Sequence, residues 1–235
     1  MLPAFQAEGK VGESVGRVRR ELRELAEAGD LEILVADDGS TDGTVDEARR
    51  AGADQVVVNT RNLGKGAAVK AGVTAAAGRT VAFTDVDLAY RPGQLARLLD
   101  EVEGGAPIVV GSRWLFQAIE GESTSRRWGL RKLKSRMFNL ATRAAVGVWR
   151  DTQCGLKAFD AEVTDAVFRR VRQDGFAFDV EIFLAAAALG IDVVEIPVEL
   201  DSRDETTVRL RGEVAAVMDL MRIRAHLRRG GYSRP

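Results

Sequence analysis

Two apolar runs, each stopping at a pair of carboxylates, set what this chain can fold into. The first reads Leu31-Glu32-Ile33-Leu34-Val35-Ala36 and ends on Asp37-Asp38-Gly39-Ser40-Thr41-Asp42-Gly43-Thr44. The second reads Thr80-Val81-Ala82-Phe83-Thr84 and ends on Asp85-Val86-Asp87-Leu88. An apolar, β-branched run bounded by turn residues is a buried strand. Ending it on acids delivers negative charge to the strand's carboxyl end, where open α/β sheets bind ligands. The carboxylates of Asp37, Asp38, Asp85 and Asp87 then form a seat for a divalent cation and a phosphorylated ligand.

Further strand-like runs fall at 54–58, 107–111 and 192–198, with helix-like runs at 10–28, 43–52, 64–77 and 92–103. This alternation predicts an α/β fold with a mostly parallel central sheet and helices on both faces. Asp42 suits a helix N-cap. The Ala-rich helix at 64–77 carries Gly66 and Gly72, which permit close packing on the sheet. Only Met1-Leu2 precedes Pro3, so either the first strand is nearly missing or the start lies late.

Beyond residue 112 the character changes. A basic segment at 126–148 interleaves Arg126, Arg127, Arg131, Lys132, Lys134 and Arg136 with Trp128, Leu130, Leu133, Met137 and Phe138. Asp151-Thr152-Gln153-Cys154-Gly155-Leu156-Lys157-Ala158-Phe159 follows, then helices near 161–172 and 179–189 and an amphipathic helix at 213–229. With no repeat and no low-complexity linker, the reading is one domain over 1–235, its N-terminal half running to about 112 and its C-terminal half starting at about 113.

The formal net charge of −1 gives no argument for a nucleic-acid partner. A lone cysteine, Cys154, excludes an internal disulfide and fits a reducing compartment. No apolar run reaches 18 residues and the start lacks a leader pattern. The expectation is therefore no transmembrane helix, no signal peptide and a cytoplasmic chain.

Each candidate site has a plain competitor. Alternation places Asp85 and Asp87 on one side of a strand end, able to hold a cation directly or through water; a turn or helix cap is the other reading. Asp37 and Asp38 can accept hydrogen bonds from a base or ribose, or simply form a turn. Asn62-Leu63-Gly64-Lys65-Gly66 can place amides and Lys65 near a phosphate at a helix start, or be a tight turn, and lacks P-loop spacing. Arg113, after Gly111-Ser112, suits a phosphate or a surface ion pair. The basic segment reads as a solvated face, an interfacial membrane helix or, less simply, an RNA contact. Asp179 and Glu181 can supply a general base, or cap and pair locally. His226 receives no catalytic role, and Cys154 is read as packing.

Taken in order, Pro3-Ala4-Phe5, Ala36 to Thr44, Asn62 to Gly66, Asp85-Val86-Asp87, Gly111-Ser112-Arg113 and Asp151 to Lys157 resemble the family 2 glycosyltransferases of GT-A fold. Within that family they resemble the polyprenyl- and dolichyl-phosphate sugar synthases, over nearly the whole chain. The resemblance implies an inverting, metal-dependent transfer of a hexose from a nucleotide sugar to a polyprenyl phosphate at the membrane surface, by a peripheral protein on the cytoplasmic face. It assigns Asp37 and Asp38 to the nucleoside, with Pro3, Phe5, Gly64 and Lys65 also at the nucleotide. Asp85 and Asp87 would hold Mg²⁺ or Mn²⁺ on the diphosphate. Arg113 and one of Arg127 or Arg131 would bind the lipid phosphate, and Arg209 would close over the diphosphate. A lipid phosphate is already anionic, so orientation and charge neutralisation replace a strong general base.

The Gln153-Cys154 pair resembles the glucosyltransferases more than the mannose synthases, which favours UDP-glucose over GDP-mannose. Three departures stand out: the short first strand, Phe5-Gln6-Ala7 where Tyr-Asn-Glu is usual (with Glu8 as the substitute acid), and no membrane helix. The alternatives are a GDP-mannose-dependent synthase, a soluble transferase with a non-lipid acceptor that uses Asp179 or Glu181 as base, and a non-catalytic domain that binds a nucleotide sugar.

Overall fold

The computed structural model describes residues 1–120 and 151–201, together with 222, 223 and 225. Strands β1 (Leu2–Ala4), β2 (Leu34–Asp37) and β3 (Gln55–Val58) form a parallel ladder in the order β1-β2-β3. Val35 sits opposite Leu2 on one side and Val56 on the other. Strands β4 (Thr80–Phe83), β5 (Ile108–Ser112), β6 (Lys157–Asp160) and β7 (Val194–Pro197) are ordered β4-β6-β5-β7.

The two ladders meet at Met1. Its backbone N donates to the Ala82 carbonyl at 2.8 Å, and Thr84 N donates to the Met1 carbonyl at 3.2 Å. One residue bonded to both flanks of another strand's residue is the parallel pattern. The carboxyl ends of β1, β2 and β4 therefore open on the same edge. The expected first strand is present, three residues long and wholly buried.

The helices are α1 (Val11–Glu21), α2 (Arg23–Ala28), α3 (Thr44–Arg50), α4 (Lys65–Ala75), α5 (Gln94–Glu103), α6 (Arg113–Glu120), α7 (Ala161–Phe168) and α8 (Phe178–Leu189). They cover both faces, and strand alternation divides the core between them. In β5, Val109 packs with Val15 of α1 and Leu98 of α5, whereas Ile108 and Val110 pack with Val73 of α4 and Ile182 of α8. Phe83 stacks on Phe159 at 6.1 Å, and Phe159 meets Phe168 edge-on at 5.3 Å. Gly72 brings α4 down onto β1 and β2: a Cβ there would lie 2.9 Å from Met1 Cγ and 3.0 Å from Ala36 Cβ.

Three departures from the sequence expectation have local causes. The helix expected over 10–28 breaks at Leu22, whose φ of −106° and ψ of 35° leave the helical region. The Leu22 side chain is buried in the core, and no glycine or proline marks the break. Strand β6 was not expected, because it is short and opens on a lysine. It runs antiparallel to both β4 and β5, so the sheet is mixed at its centre. Asp42 caps from one position early: its Oδ1 accepts from Thr44 N at 3.1 Å, while Gly43 is the residue at the cap.

Lys157 is fully buried. Its Nζ donates to Asp179 Oδ1 at 2.6 Å and to the Cys154 carbonyl at 2.6 Å. Removing one member of such a pair strands a buried charge, at a cost of about 3–5 kcal/mol. Lys157→Met is expected to lower the melting temperature by roughly 10 °C. Combining it with Asp179→Leu should recover much of the loss. Thermal unfolding followed by circular dichroism checks both.

Candidate active site at the carboxyl edge of the sheet

Asp37 ends β2 and Asp38 follows it, both buried. Their surroundings differ. Asp37 Oδ2 accepts from Ser40 N at 2.9 Å, while its Oδ1 is buried with no hydrogen-bond partner among the described residues. Asp38 is fully used: Oδ1 accepts from Asn59 Nδ2 at 2.9 Å and Leu63 N at 3.0 Å, and Oδ2 accepts from Gly64 N at 2.7 Å. Sequence reading gave both acids to the nucleoside. The structure gives Asp38 to the loop that leads into α4.

That loop places Lys65. Gly64, at φ 117°, packs so close to the backbone of residues 174–175 that a Cβ would collide with the Asp174 carbonyl oxygen. Only glycine fits. Lys65 then opens α4, and its Nζ reaches Asp85 Oδ1 at 2.6 Å, 5.9 Å from the centre of the Phe178 ring. Burial by itself would lower the Lys65 pKa, but the charges of Asp85 and Asp179 more than reverse this and raise it.

Asp85 and Asp87 follow β4 in a tight turn. Leu88 N donates to the Asp85 carbonyl at 2.9 Å, and Ala89 N to Asp87 Oδ1 at 3.2 Å. Leu88 adopts φ 47°, an uncommon left-handed conformation for a bulky side chain, and it is held there by burial in the core. Such conformations cluster at functional sites. Burial first, and the neighbouring Asp85 charge second, raise the Asp87 pKa. Gly155 leaves room for Asp85, since a Cβ there would fall 2.6 Å from Asp85 Oδ2.

No cluster of three or more His, Cys, Asp or Glu suited to a metal occurs among the described residues. A two-carboxylate seat fits Mg²⁺ or Mn²⁺ shared with a phosphorylated ligand, because Mg²⁺ keeps waters and takes one or two carboxylates plus substrate phosphates. Asp85 and Asp87 are the residues that would hold it.

Arg113, at the end of β5, is committed to a partner that sequence reading did not find. Its Nε and Nη2 donate to Asp151 Oδ2 and Oδ1, both at 2.7 Å, and its backbone N donates to Oδ2 at 3.0 Å. Burial works against the guanidinium charge, but Asp151 outweighs it and raises the Arg113 pKa. Cys154 and Tyr90 are buried beside this pair, and burial together with the Asp151 charge pushes the thiol up to about 11. Cys154 is thus a neutral packing group, as expected.

Pro3 lies within β1, and Phe5, just after it, is exposed. Gln6, at φ 48°, donates from its backbone N to Ser40 Oγ at 2.9 Å. Glu8 accepts from Gly43 N at 3.0 Å. Asp179 is taken by Lys157, and Glu181 Oε2 accepts from Arg172 N at 2.6 Å and Gln173 N at 2.7 Å. Arg127, Arg131, Arg209 and the basic segment at 126–148 lie outside the described residues.

Sequence reasoning missed Tyr90, Lys157 and the pairing of Asp151. Their only signal was that Asp151 and Lys157 bracket the Thr152-Gln153-Cys154-Gly155 run.

Residues 1–164 match the family profile described as glycosyl transferase family 2. The chain belongs to glycosyl transferase family 2. It is a hexosyltransferase of GT-A fold that takes a nucleotide sugar. It is 29% identical over 244 residues to a dolichyl-phosphate beta-glucosyltransferase of Trichomonas vaginalis, covering 98% of this chain and 71% of the relative. It is 31% identical over 223 residues to the polyprenol monophosphomannose synthase of Mycolicibacterium smegmatis, covering 90% of this chain and 80% of the relative. Glucosyl-3-phosphoglycerate synthase of Mycobacterium tuberculosis, solved with Mn²⁺, UDP and its product, matches at TM-score 0.68 and 20% identity, over 95% of this chain and 77% of that one. A further structure of that enzyme holds Mg²⁺ and UDP.

The two adjacent acids can be told apart by experiment. Asp38→Asn sets an amide donor among the N–H groups of Asn59, Leu63 and Gly64. It is expected to cost about 2 kcal/mol, on the order of 6 °C in melting temperature. Asp37→Asn keeps an acceptor for Ser40 N and should melt within about 2 °C of the native chain, while weakening nucleotide binding roughly tenfold by calorimetry.

Proposed function

We propose that this family 2 enzyme moves a hexose from a nucleotide sugar to a polyprenyl phosphate, with Mg²⁺ or Mn²⁺, at a membrane surface. The donor is read as UDP-glucose; the alternative is GDP-mannose. The observation that carries the donor side is the convergence of Asp37, Lys65, Asp85 and Asp87 at one sheet edge, with Asp37 Oδ1 buried and unpartnered among the described residues. A buried carboxylate oxygen of that kind suits the N–H of a nucleobase. A cation on Asp85 and Asp87 would neutralise charge on the leaving nucleoside diphosphate.

The acceptor side rests on the names of the relatives and on the engagement of the two candidate bases among the described residues. In the transfer, an oxygen of the acceptor attacks the anomeric carbon as its bond to the diphosphate breaks. A hydroxyl acceptor must also lose a proton, and Asp179 and Glu181 are the acids that reading needs. Asp179 is bound to Lys157, and Glu181 to two backbone amides. A phosphate acceptor arrives without a proton to lose, so orientation and electrostatics suffice. Arg113 and one of Arg127 or Arg131 keep the proposed role at the lipid phosphate, and Arg209 keeps its role over the diphosphate.

No helix among the described residues is long and apolar enough to cross a membrane. Membrane contact is therefore proposed through α6, which exposes Trp114 and Ile119, and the basic segment that follows it.

The deciding assay offers polyprenyl phosphate, Mn²⁺ and labelled UDP-glucose or GDP-mannose, then extracts the lipid. Label from UDP-glucose is expected; label only from GDP-mannose would overturn the donor, and no lipid label from either would overturn the acceptor. Asp87→Ala should cut turnover about a thousandfold, several kcal/mol of transition-state charge stabilisation. Vesicles rich in anionic lipid should float the protein, and neutral vesicles should do so less well.

A further inference from the structure

Two lysine–aspartate pairs flank the site, equal in length and opposite in access. Lys157 and Asp179 are 2.6 Å apart with side chains 0% and 4% exposed, so water and ions cannot exchange into that pair. Lys65 and Asp85 are also 2.6 Å apart, but their side chains are 19% and 31% exposed. The second pair is the one a solute can open.

The backbone beneath Lys65 is fixed. Gly64 N is held by Asp38, and Gly64 lies hard against the Asp174 carbonyl. Ala67 N donates to the Gly64 carbonyl at 3.0 Å and to the Asp174 carbonyl at 3.2 Å. What remains free is the flexible four-carbon stem carrying a compact ammonium. That ammonium lies on an oxygen of Asp85, one of the two carboxylates that would hold the cation. An ammonium and a metal cannot share that lone pair at bonding distance.

We propose that Lys65 is the site's resident counter-ion: it neutralises Asp85 in the donor-free enzyme and passes to the donor's diphosphate on loading, so that divalent cation and nucleotide bind cooperatively. This rests on the reading of Asp85 and Asp87 as the cation seat. Without nucleotide, a cation at this seat competes with the Lys65 ammonium for the charge of the Asp85 carboxylate. With nucleotide present, the diphosphate offers that ammonium a new anion, and Asp85 is released. Coupling of this kind is reciprocal, so the cation strengthens nucleotide binding by the same factor.

The test measures Mn²⁺ binding by electron paramagnetic resonance, with and without UDP, on the full chain and its Lys65→Met, Lys65→Gln and Lys65→Arg variants. Circular dichroism melts verify that each is folded. Without UDP, the Met and Gln variants are expected to bind Mn²⁺ about tenfold more tightly than the native chain, within the ordinary range of site coupling. UDP should tighten Mn²⁺ binding in the native and Arg proteins, and much less in the neutral variants. Unchanged or weaker Mn²⁺ affinity in both neutral variants, beside native Mn²⁺–UDP binding, overturns the counter-ion role and leaves the cation seat standing. A native chain that takes up no Mn²⁺ even with UDP, or an Asp85→Asn variant that binds it as well as native, overturns the seat and the proposal together.

Discussion

Like charges crowded at one edge of a sheet are the constraint on which the rest of this structure depends. Asp37, Asp38, Asp85, Asp87, Asp151 and Asp179 all border it or the segments packed beside it. Two unit charges 4 Å apart repel by about 4 kcal/mol at an effective dielectric constant near 20, so each acid needs an answer. Asp38 takes N–H groups from Asn59, Leu63 and Gly64; Asp85 takes Lys65; Asp151 takes Arg113; Asp179 takes Lys157. Among the described residues, Asp37 keeps one oxygen without a hydrogen-bond partner, and Asp87 is answered by the Ala89 amide and by charges at longer range. Those two incomplete answers are what a ligand can complete.

The answers come from elements remote in sequence. Strand β6 enters antiparallel between β4 and β5, which lays the 151–156 segment beside Asp85 and lets Gly155 pass its carboxylate. Helix α8 brings Asp179 to Lys157 and the Phe178 ring beneath Lys65. Loop 173–175 meets Gly64 and Gly66, so α4 begins where the C-terminal half of the chain permits. The acidic edge is thus built from the first half of the chain and braced by the second.

The legible part of the site was the part whose chemistry is local. Asp85-Val86-Asp87 after an apolar run, and Gly64-Lys65-Gly66 at a helix start, announced a charged strand end and a tight turn into a helix, and both fall at the sheet's carboxyl edge. The roles of neighbours were not legible. Asp37 and Asp38 are identical and adjacent, yet Asp37 keeps a buried oxygen with no hydrogen-bond partner among the described residues while Asp38 clamps a loop, because successive residues at a strand end point to opposite sides. Arg113 read equally as a phosphate ligand or an ion pair; its partner lies 38 positions away. Glu8 stood as a substitute acid for the site, but it turns to the Gly43 amide. Nor did any residue type mark the break at Leu22.

The sequence by itself determined the alternation of strand and helix, the acids at two strand ends and the family to which the chain belongs. The alternation and the placement of the acids follow from periodicity and turn chemistry acting within a few residues; the family follows from the ordered motifs that resemble family 2 glycosyltransferases. Only the tertiary structure decided which carboxylates are already paired among the described residues. That choice depends on where a distant amide, lysine or arginine arrives, and so on the insertion of β6 and the packing of α8. A strand of four residues that opens on a buried lysine carries no local pattern; its place is fixed by the ladders of β4 and β5 on either side.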